Sequence, residues 1–350
     1  MKLNSHGIKP LVHPARSKFV CLTAALACCL AAFPVFAEGQ TVVQLPPGVS
    51  SQTIQEALDS LPETGGEVRL SPGIIEVRQP IVLHCDGQEL RGAGDSTILR
   101  LADGANCPVI IMGEPVNYPQ NTVKHLRVSH LFIDGNRQHQ QRELWCVEGE
   151  GSEIRNNGIT VQSVSDSVVE HVTTARCRSG GLVTTRDVRR LTVSHLNSFD
   201  NQFDGLACYA TEDCVFSDLD LHDNPGAGIS LDLTFENNVI RNAVLTSNDL
   251  GIFMRESRHN EFQDITMRNC HNHGVFMAHS EESVANQWVP VPRTECTNNT
   301  FTRLMAIDCG GAAFRVNNAT CTNNVIVCPV FQGNTRGGLS APQPELVAVQ

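Results

Sequence analysis

The chain has 350 residues and a net charge of −11, from 26 basic and 37 acidic side chains. Hydrophobic residues make up 41% of it, but aromatic ones only 5%. The acidic balance excludes the basic footprint that nucleic-acid binding requires. It also sets a condition on any polyanionic ligand, which would need local arginines or a bound cation.

Residues 1–37 read as a signal peptide. Lys9, Arg16 and Lys18 precede an apolar run from Phe19 to Ala32, and Val35 to Ala37 form a small-residue cleavage pattern. Cleavage after Ala37 predicts an exported protein, periplasmic or secreted. A lipoprotein alternative at Cys28 fits less well, because the apolar stretch would continue into the processed chain. Removing the leader leaves a net charge of −15 and a single lysine, Lys124, beside 21 arginines. No later stretch approaches the roughly 20 apolar residues of a membrane span.

Thr53 to Leu61 reads as a short amphipathic helix, and strands begin at Gly65 to Gly73. Gly92 to Ser96 is glycine-rich, but no helical segment follows, so a coil turn is expected there and not a phosphate loop. From residue 158 the chain repeats. Gly158, Gly181, Gly205, Gly228, Gly251, Gly274 and Gly311 each open a short alternating strand, at gaps of 23, 24, 23, 23, 23 and 37 residues. Offsets +1 and +3 from each glycine are apolar, the pattern of a half-buried strand. Two more short strands follow in each repeat, for example around Phe216 and Leu219. Just before the glycines stand Cys177, Asn201, Asn224, Asn248 and Cys270, which predict a stacked turn ladder. Repeats this short cannot bury their own apolar face, so they must stack into a solenoid.

Three strands per coil of about 23 residues, with polar turns, resemble the right-handed parallel β-helix of the pectin-lyase-like superfamily. The opening helix strengthens the resemblance, as do the coil phrases Leu90 to Ile98 and Ile133 to Asn136. It covers about residues 41–330. It implies an all-β, single-stranded parallel β-helix with a short N-terminal capping helix, in a domain of residues 38–332. A flexible C-terminal tail is expected at 333–350.

In such a solenoid, equal offsets in successive coils become neighbours. Enlarged turns lie between Asn136 and Gly158 and between His279 and Cys296, and they hold the only tryptophans, Trp145 and Trp288. They flank one sheet from opposite edges, about five coils apart. That spans roughly 24 Å at the usual strand spacing, enough for several sugar units. The outward offset +4 stacks Gln162, Thr185, Tyr209, Asp232, Arg255, Ala278 and Arg315. Beside this column lie Phe253 and Phe276 at +2, and Glu256 and His279 at +5. Asp204 and His273 precede their strands and can be aimed at the same groove.

A phenol, a carboxylate and a guanidinium in line predict a site for a uronate. Arg255 would hold the sugar carboxylate and stabilise the enolate-like charge formed when the C5 proton leaves. Tyr209 or a histidine such as His273 would exchange that proton, given a pKa lowered by the arginine. Asp232 would orient Arg255 or bind Ca²⁺. Trp145, Trp288, Phe253, Phe276, His279 and Glu256 would contact the sugar chain. The expected function is therefore a polysaccharide lyase or C5-epimerase acting on a uronate-containing polysaccharide. A glycoside hydrolase with Asp204 and Asp232 as paired carboxylates is the alternative, and a carbohydrate-binding or surface β-helix protein is the third reading. Only Phe203 to Gly205 and His273-Gly274 echo polygalacturonase phrases, and the Asp-Pro-His-Asp/Glu phrase of mannuronan epimerases is missing.

His271 and His273 offer two metal ligands without a third. His171 and His195 share an offset with Asp218, Asn242 and Asp264, an outward polar column on another face. Eleven cysteines follow the leader, none in a CxxC pair. Cys296 and Cys321, each followed by Thr-Asn-Asn, lie one repeat apart and are an expected disulfide.

Overall fold

The computed structural model of the protein describes residues 41–141, 154–279 and 295–350. Residues 1–37, read above as a signal peptide, and Trp145 and Trp288 lie outside the described residues. Alternation does the folding: Leu206 and Cys208, Ile229 and Leu231, Ile252 and Met254, and Val275 and Met277 are all buried inward. Each pair sits over the next in a parallel ladder, with Leu206 paired to Ile229 and Ile229 to Ile252. Among the described residues the strands form a sixteen-stranded and a fourteen-stranded sheet wrapped into coils, and twelve strands follow one another along the first. Columns of like side chains run along the core, such as the rings of Phe262 and Phe301, stacked at 4.5 Å.

The second and third strands of each coil are one bent strand. Thr192–Phe199, Val215–His222, Val239–Thr246 and Glu261–Arg268 each run eight residues. At the bend stand His195, Asp218, Asn242 and Asp264, at φ of 52°, 57°, 56° and 56°. Asn, Asp and His tolerate this left-handed conformation better than other non-glycine residues. The outward column of the sequence is therefore a column of bends, along which the His171 and His195 rings stack at 4.3 Å.

The turn ladder forms as expected. Each asparagine rung accepts a backbone N–H from the coil before it. Asn201 Oδ1 accepts from Cys177, Asn224 Oδ1 from Asn201, and Asn248 Oδ1 from Asn224, at 3.0–3.1 Å. A second ladder runs through Cys214, Asn238, Asn260, Asn299 and Asn324.

The repeating glycines are required for close approach. A Cβ on Gly251 would lie 2.5 Å from the Gly274 carbonyl oxygen, and one on Gly274 would lie 2.4 Å from that of Ala313. The seventh glycine departs from the register. Val275 pairs with Phe314 and Phe276 with Arg315, so Ala313 takes the glycine position and Gly311 precedes it. Arg315 consequently lies beside Phe276, not in the column of Arg255.

The helix spans Ser51–Asp59, capped by the Ser50 hydroxyl on the Thr53 N–H and burying Ile54, Ala57 and Leu58. Gln55 occupies both backbone groups of Val82, accepting its N–H at 2.8 Å and donating to its carbonyl at 3.1 Å. Val82 belongs to the terminal strand of the fourteen-stranded sheet, so the helix covers that edge.

Residues 333–350, expected as a loose tail, instead continue the coils. Leu339–Ser340 pairs with Phe314 and Arg315, and Val347–Val349 pairs with Asn324 to Ile326. Leu346 and Val347 are buried, which gives this proline- and glycine-rich stretch its apolar anchor.

Candidate active site

One groove of about 530 Å³ opens on the face of the Gly-led strands. Its floor and walls include Thr160, Val183, Thr185, Ala207, Tyr209 and Asp232, from four consecutive coils. The stacking of equal offsets places them: Tyr209 pairs with Asp232 in register, and the Arg255 N–H bonds the Leu231 carbonyl one coil on. Small Ala207 and Ser230 at +2 leave the space that becomes the groove.

Of the expected site residues, Asp204, Tyr209, Asp232 and Arg255 converge here. Arg255 Nε donates to Asp232 Oδ2 at 3.0 Å, with a second bond from its Nη2. Asp232 Oδ1 accepts the Leu233 N–H at 2.9 Å, so both carboxylate oxygens are engaged. The Arg255 guanidinium also lies 5.3 Å from the Phe253 ring centroid, a cation–π contact that holds its plane. Of the two roles left open for Asp232, the geometry thus supplies the one of orienting Arg255.

Asp204 is tucked against the next coil, where its Oδ1 accepts the Ala227 N–H at 2.7 Å. A Cβ on Gly226 would stand 2.6 Å from that oxygen, so glycine there makes room for the carboxylate. Burial raises the Asp204 carboxyl to about 6, against the lowering effect of the Ala227 bond and Arg155. Tyr209 differs from expectation. Its phenol is pushed up, by burial first and then by Asp204 and Asp232, while Arg155 and then Ser230 oppose the shift. Arg255, committed to Asp232, is not among the groups that lower it, and the phenol stays protonated at neutral pH.

Other expected residues stand apart from the groove. His273 is buried, accepts the Ala312 N–H on Nδ1 at 2.9 Å and stacks on Phe276 at 5.7 Å. Burial lowers its pKa, and the Nδ1 lone pair is already used. Phe276 stacks in turn on Phe253, so these rings support Arg255 from behind. His279 turns to the following coil, bonding Asn318 and Thr320. Glu256 is buried and does not line the groove.

The sequence reading missed Arg155, Arg186 and Leu233, all of which line the groove. Arg155, Arg186 and Arg255 make three guanidinium groups around one cleft in an acidic protein. Arg186 stands at offset +5 from Gly181, the offset that Glu256 and His279 hold in later coils, so its position carried the signal. Leu233 is 43% exposed and, with Thr234, adopts positive φ of 47° and 71°. The pairing register shifts opposite this point, between Tyr209 and Thr211. A bulge of this kind re-aims side chains, and non-glycine residues held there are strained.

The fold and groove define a right-handed parallel β-helix of the pectin-lyase-like class. The model of a family described as periplasmic copper-binding protein (NosD) matches residues 133–338, and the chain belongs to that family. No curated protein matches it in sequence. Among solved structures it is similar to the A-module of a mannuronan C-5 epimerase from Azotobacter vinelandii, at 14% identity and TM-score 0.56, covering 86% of this chain and 93% of that one. An alginate lyase from Paenibacillus sp. is 10% identical with TM-score 0.61, covering 88% and 99%. A polygalacturonase from Erwinia carotovora is 13% identical with TM-score 0.60, covering 88% and 96%. At such identities the likeness is one of fold. Among the described residues no helix is long and apolar enough to cross a membrane. Nor, among the described residues, do three His, Cys, Asp or Glu side chains converge to hold a metal ion.

Proposed function

We propose that the protein is an exported enzyme that abstracts the C5 proton of a uronate unit in a polysaccharide lying along the groove. The observation that carries this reading is the convergence of Asp204, Tyr209 and the Asp232-held Arg255 in one cleft that Arg155 and Arg186 also line. Fixed guanidinium groups suit a sugar carboxylate, and they answer the condition that an acidic chain places on an acidic substrate. Asp204, with its carboxyl near 6, is ionised at neutral pH and takes the C5 proton. Arg255 stabilises the enolate-like charge that results. The protonated Tyr209 phenol then gives its proton either to the departing C4 oxygen, which breaks the glycosidic bond and leaves a C4–C5 double bond, or to C5 from the other face. The first outcome is a lyase and the second an epimerase. The epimerase, lyase and polygalacturonase neighbours act on uronate chains by name, and the family's periplasmic description agrees with the reading of residues 1–37 as an export signal.

A panel of alginate, pectin and neutral glycans tests this. Lyase action produces an unsaturated, ultraviolet-absorbing end, and epimerisation changes C5 configuration at constant chain length. Hydrolysis would leave saturated reducing ends and make Asp204 and Asp232 a glycosidase pair. Arg255→Ala and Asp232→Asn should each lower the rate by about 10²–10³-fold, as for lost transition-state charge stabilisation. Full activity in both variants would remove the groove from consideration. Because both Asp232 oxygens are engaged, activity is expected to survive a calcium chelator.

A further inference from the structure

Cysteines occupy two consecutive rungs at two places near the C-terminal end of the solenoid. On the first turn ladder asparagines give way to Cys270 and Cys309, before Asn334 resumes it by accepting the Cys309 N–H at 3.0 Å. Arg268 pairs with Ile307 in register, which puts Cys270 directly over Cys309, and the Gly310 N–H bonds the Cys270 carbonyl at 2.9 Å. The second place is Cys296 over Cys321, set by the pairing of Thr300 with Val325. All four side chains are buried. Within each pair the thiols are unbridged and close enough to perturb each other's ionisation. Adjacent parallel strands place paired Cα atoms about 4.8 Å apart, inside the range a disulfide spans.

Elsewhere on the ladders the arrangement differs. Cys177 and Cys214 each have an asparagine at the next rung, Asn201 and Asn238, which accepts their N–H. There Cys214 Sγ accepts the Leu191 N–H at 3.3 Å, as an asparagine oxygen would, while Cys177 Sγ donates to the Ala175 carbonyl at 3.7 Å. Two in succession put a second thiol against the first.

We propose that Cys270–Cys309 and Cys296–Cys321 are disulfide rungs that staple successive coils at the C-terminal end, while Cys177 and Cys214 remain thiols. The pairing at Cys270 and Cys309 was not foreseen from spacing, because an enlarged turn separates them in sequence. Each rung forms by exchange with a disulfide oxidant such as oxidised glutathione. The Cys309 thiolate attacks one oxidant sulfur and expels a thiolate. Cys270 then loses its proton and attacks the Cys309 sulfur of the mixed disulfide, releasing the second thiolate. Two electrons and two protons leave the protein, and one oxidant disulfide becomes two thiols. The facing Cys270 thiol holds the Cys309 thiol below its ordinary range, which favours Cys309 as the attacking thiolate.

The full chain is refolded from denaturant in a glutathione redox buffer, alkylated in denaturant without reductant, and mapped by peptide mass. The expected map has two linked peptide pairs, 270 with 309 and 296 with 321, and alkylated Cys177 and Cys214. Alkylation of either pair, or any other pairing, overturns the proposal. Reductant should also lower the melting temperature of the native chain by several degrees. It should leave unchanged that of a chain carrying Cys270→Ala, Cys309→Ala, Cys296→Ala and Cys321→Ala. Equal sensitivity in both chains would count against stapling.

Discussion

Asp204 shows how one side chain is tuned by where the coil places it. Its neighbours at Gly226 and Ala227 let the carboxylate tuck in, and burial raises its pKa to about 6. If Asp204 is the base, the rate rises with pH through about 6, and Asp204→Asn loses that limb along with about 10²–10⁴-fold in rate. Stability moves the other way. A carboxyl whose folded pKa is raised contributes stability that is fully present below its ordinary pKa and is lost as pH rises through about 6. Thermal unfolding across this window, compared with Asp204→Asn, should show the native chain losing stability where the variant does not. An unchanged rate profile in the variant would place the base elsewhere.

The turn ladder is the element that makes a stack of coils cooperative. Asn224 accepts from the Asn201 N–H at 3.1 Å and donates to the Ser198 carbonyl at 3.2 Å, fully buried. Asn224→Ala strands both groups and should cost about 2–4 kcal/mol, since each buried unsatisfied polar group costs about 1–3 kcal/mol. Asn242, at an exposed bend, donates from its side chain to Asp218 at 2.9 Å. Replacing it should change stability by no more than about 1 kcal/mol, chiefly through its left-handed backbone. Denaturant unfolding of the two variants side by side checks the contrast. The ladder was legible because a stacked asparagine recurs at the coil period. The bent strands were not, because a left-handed bend inside an alternating stretch leaves the apolar pattern intact on both sides.

For the whole molecule, the ends matter most, because a solenoid's interior coils cover one another and its terminal coils do not. Gln55 of the helix covers one edge, and residues 339–349 build the last coil at the other. Truncation after residue 332 should expose the Phe314 and Ile326 coils, lower the thermal midpoint and promote association, read by calorimetry and sedimentation. A chain that melts unchanged after this truncation would show the last coil to be dispensable.

Periodicity alone determined the solenoid, the inward columns, the asparagine ladder and the alignment of Tyr209, Asp232 and Arg255, because stacked coils convert equal offsets into contact. Tertiary structure decided what periodicity cannot encode. The 39-residue step from Val275 to Phe314 moved Arg315 out of the column. The engagement of Arg255 by Asp232 and the partial burial of Tyr209 reversed the expected direction of the phenol's shift. Arg155 and Arg186 reached the groove from positions outside the +4 column. The physical reason is common to all three: offset fixes which residues are neighbours, whereas charge pairing and burial depend on how side chains divide the space between coils.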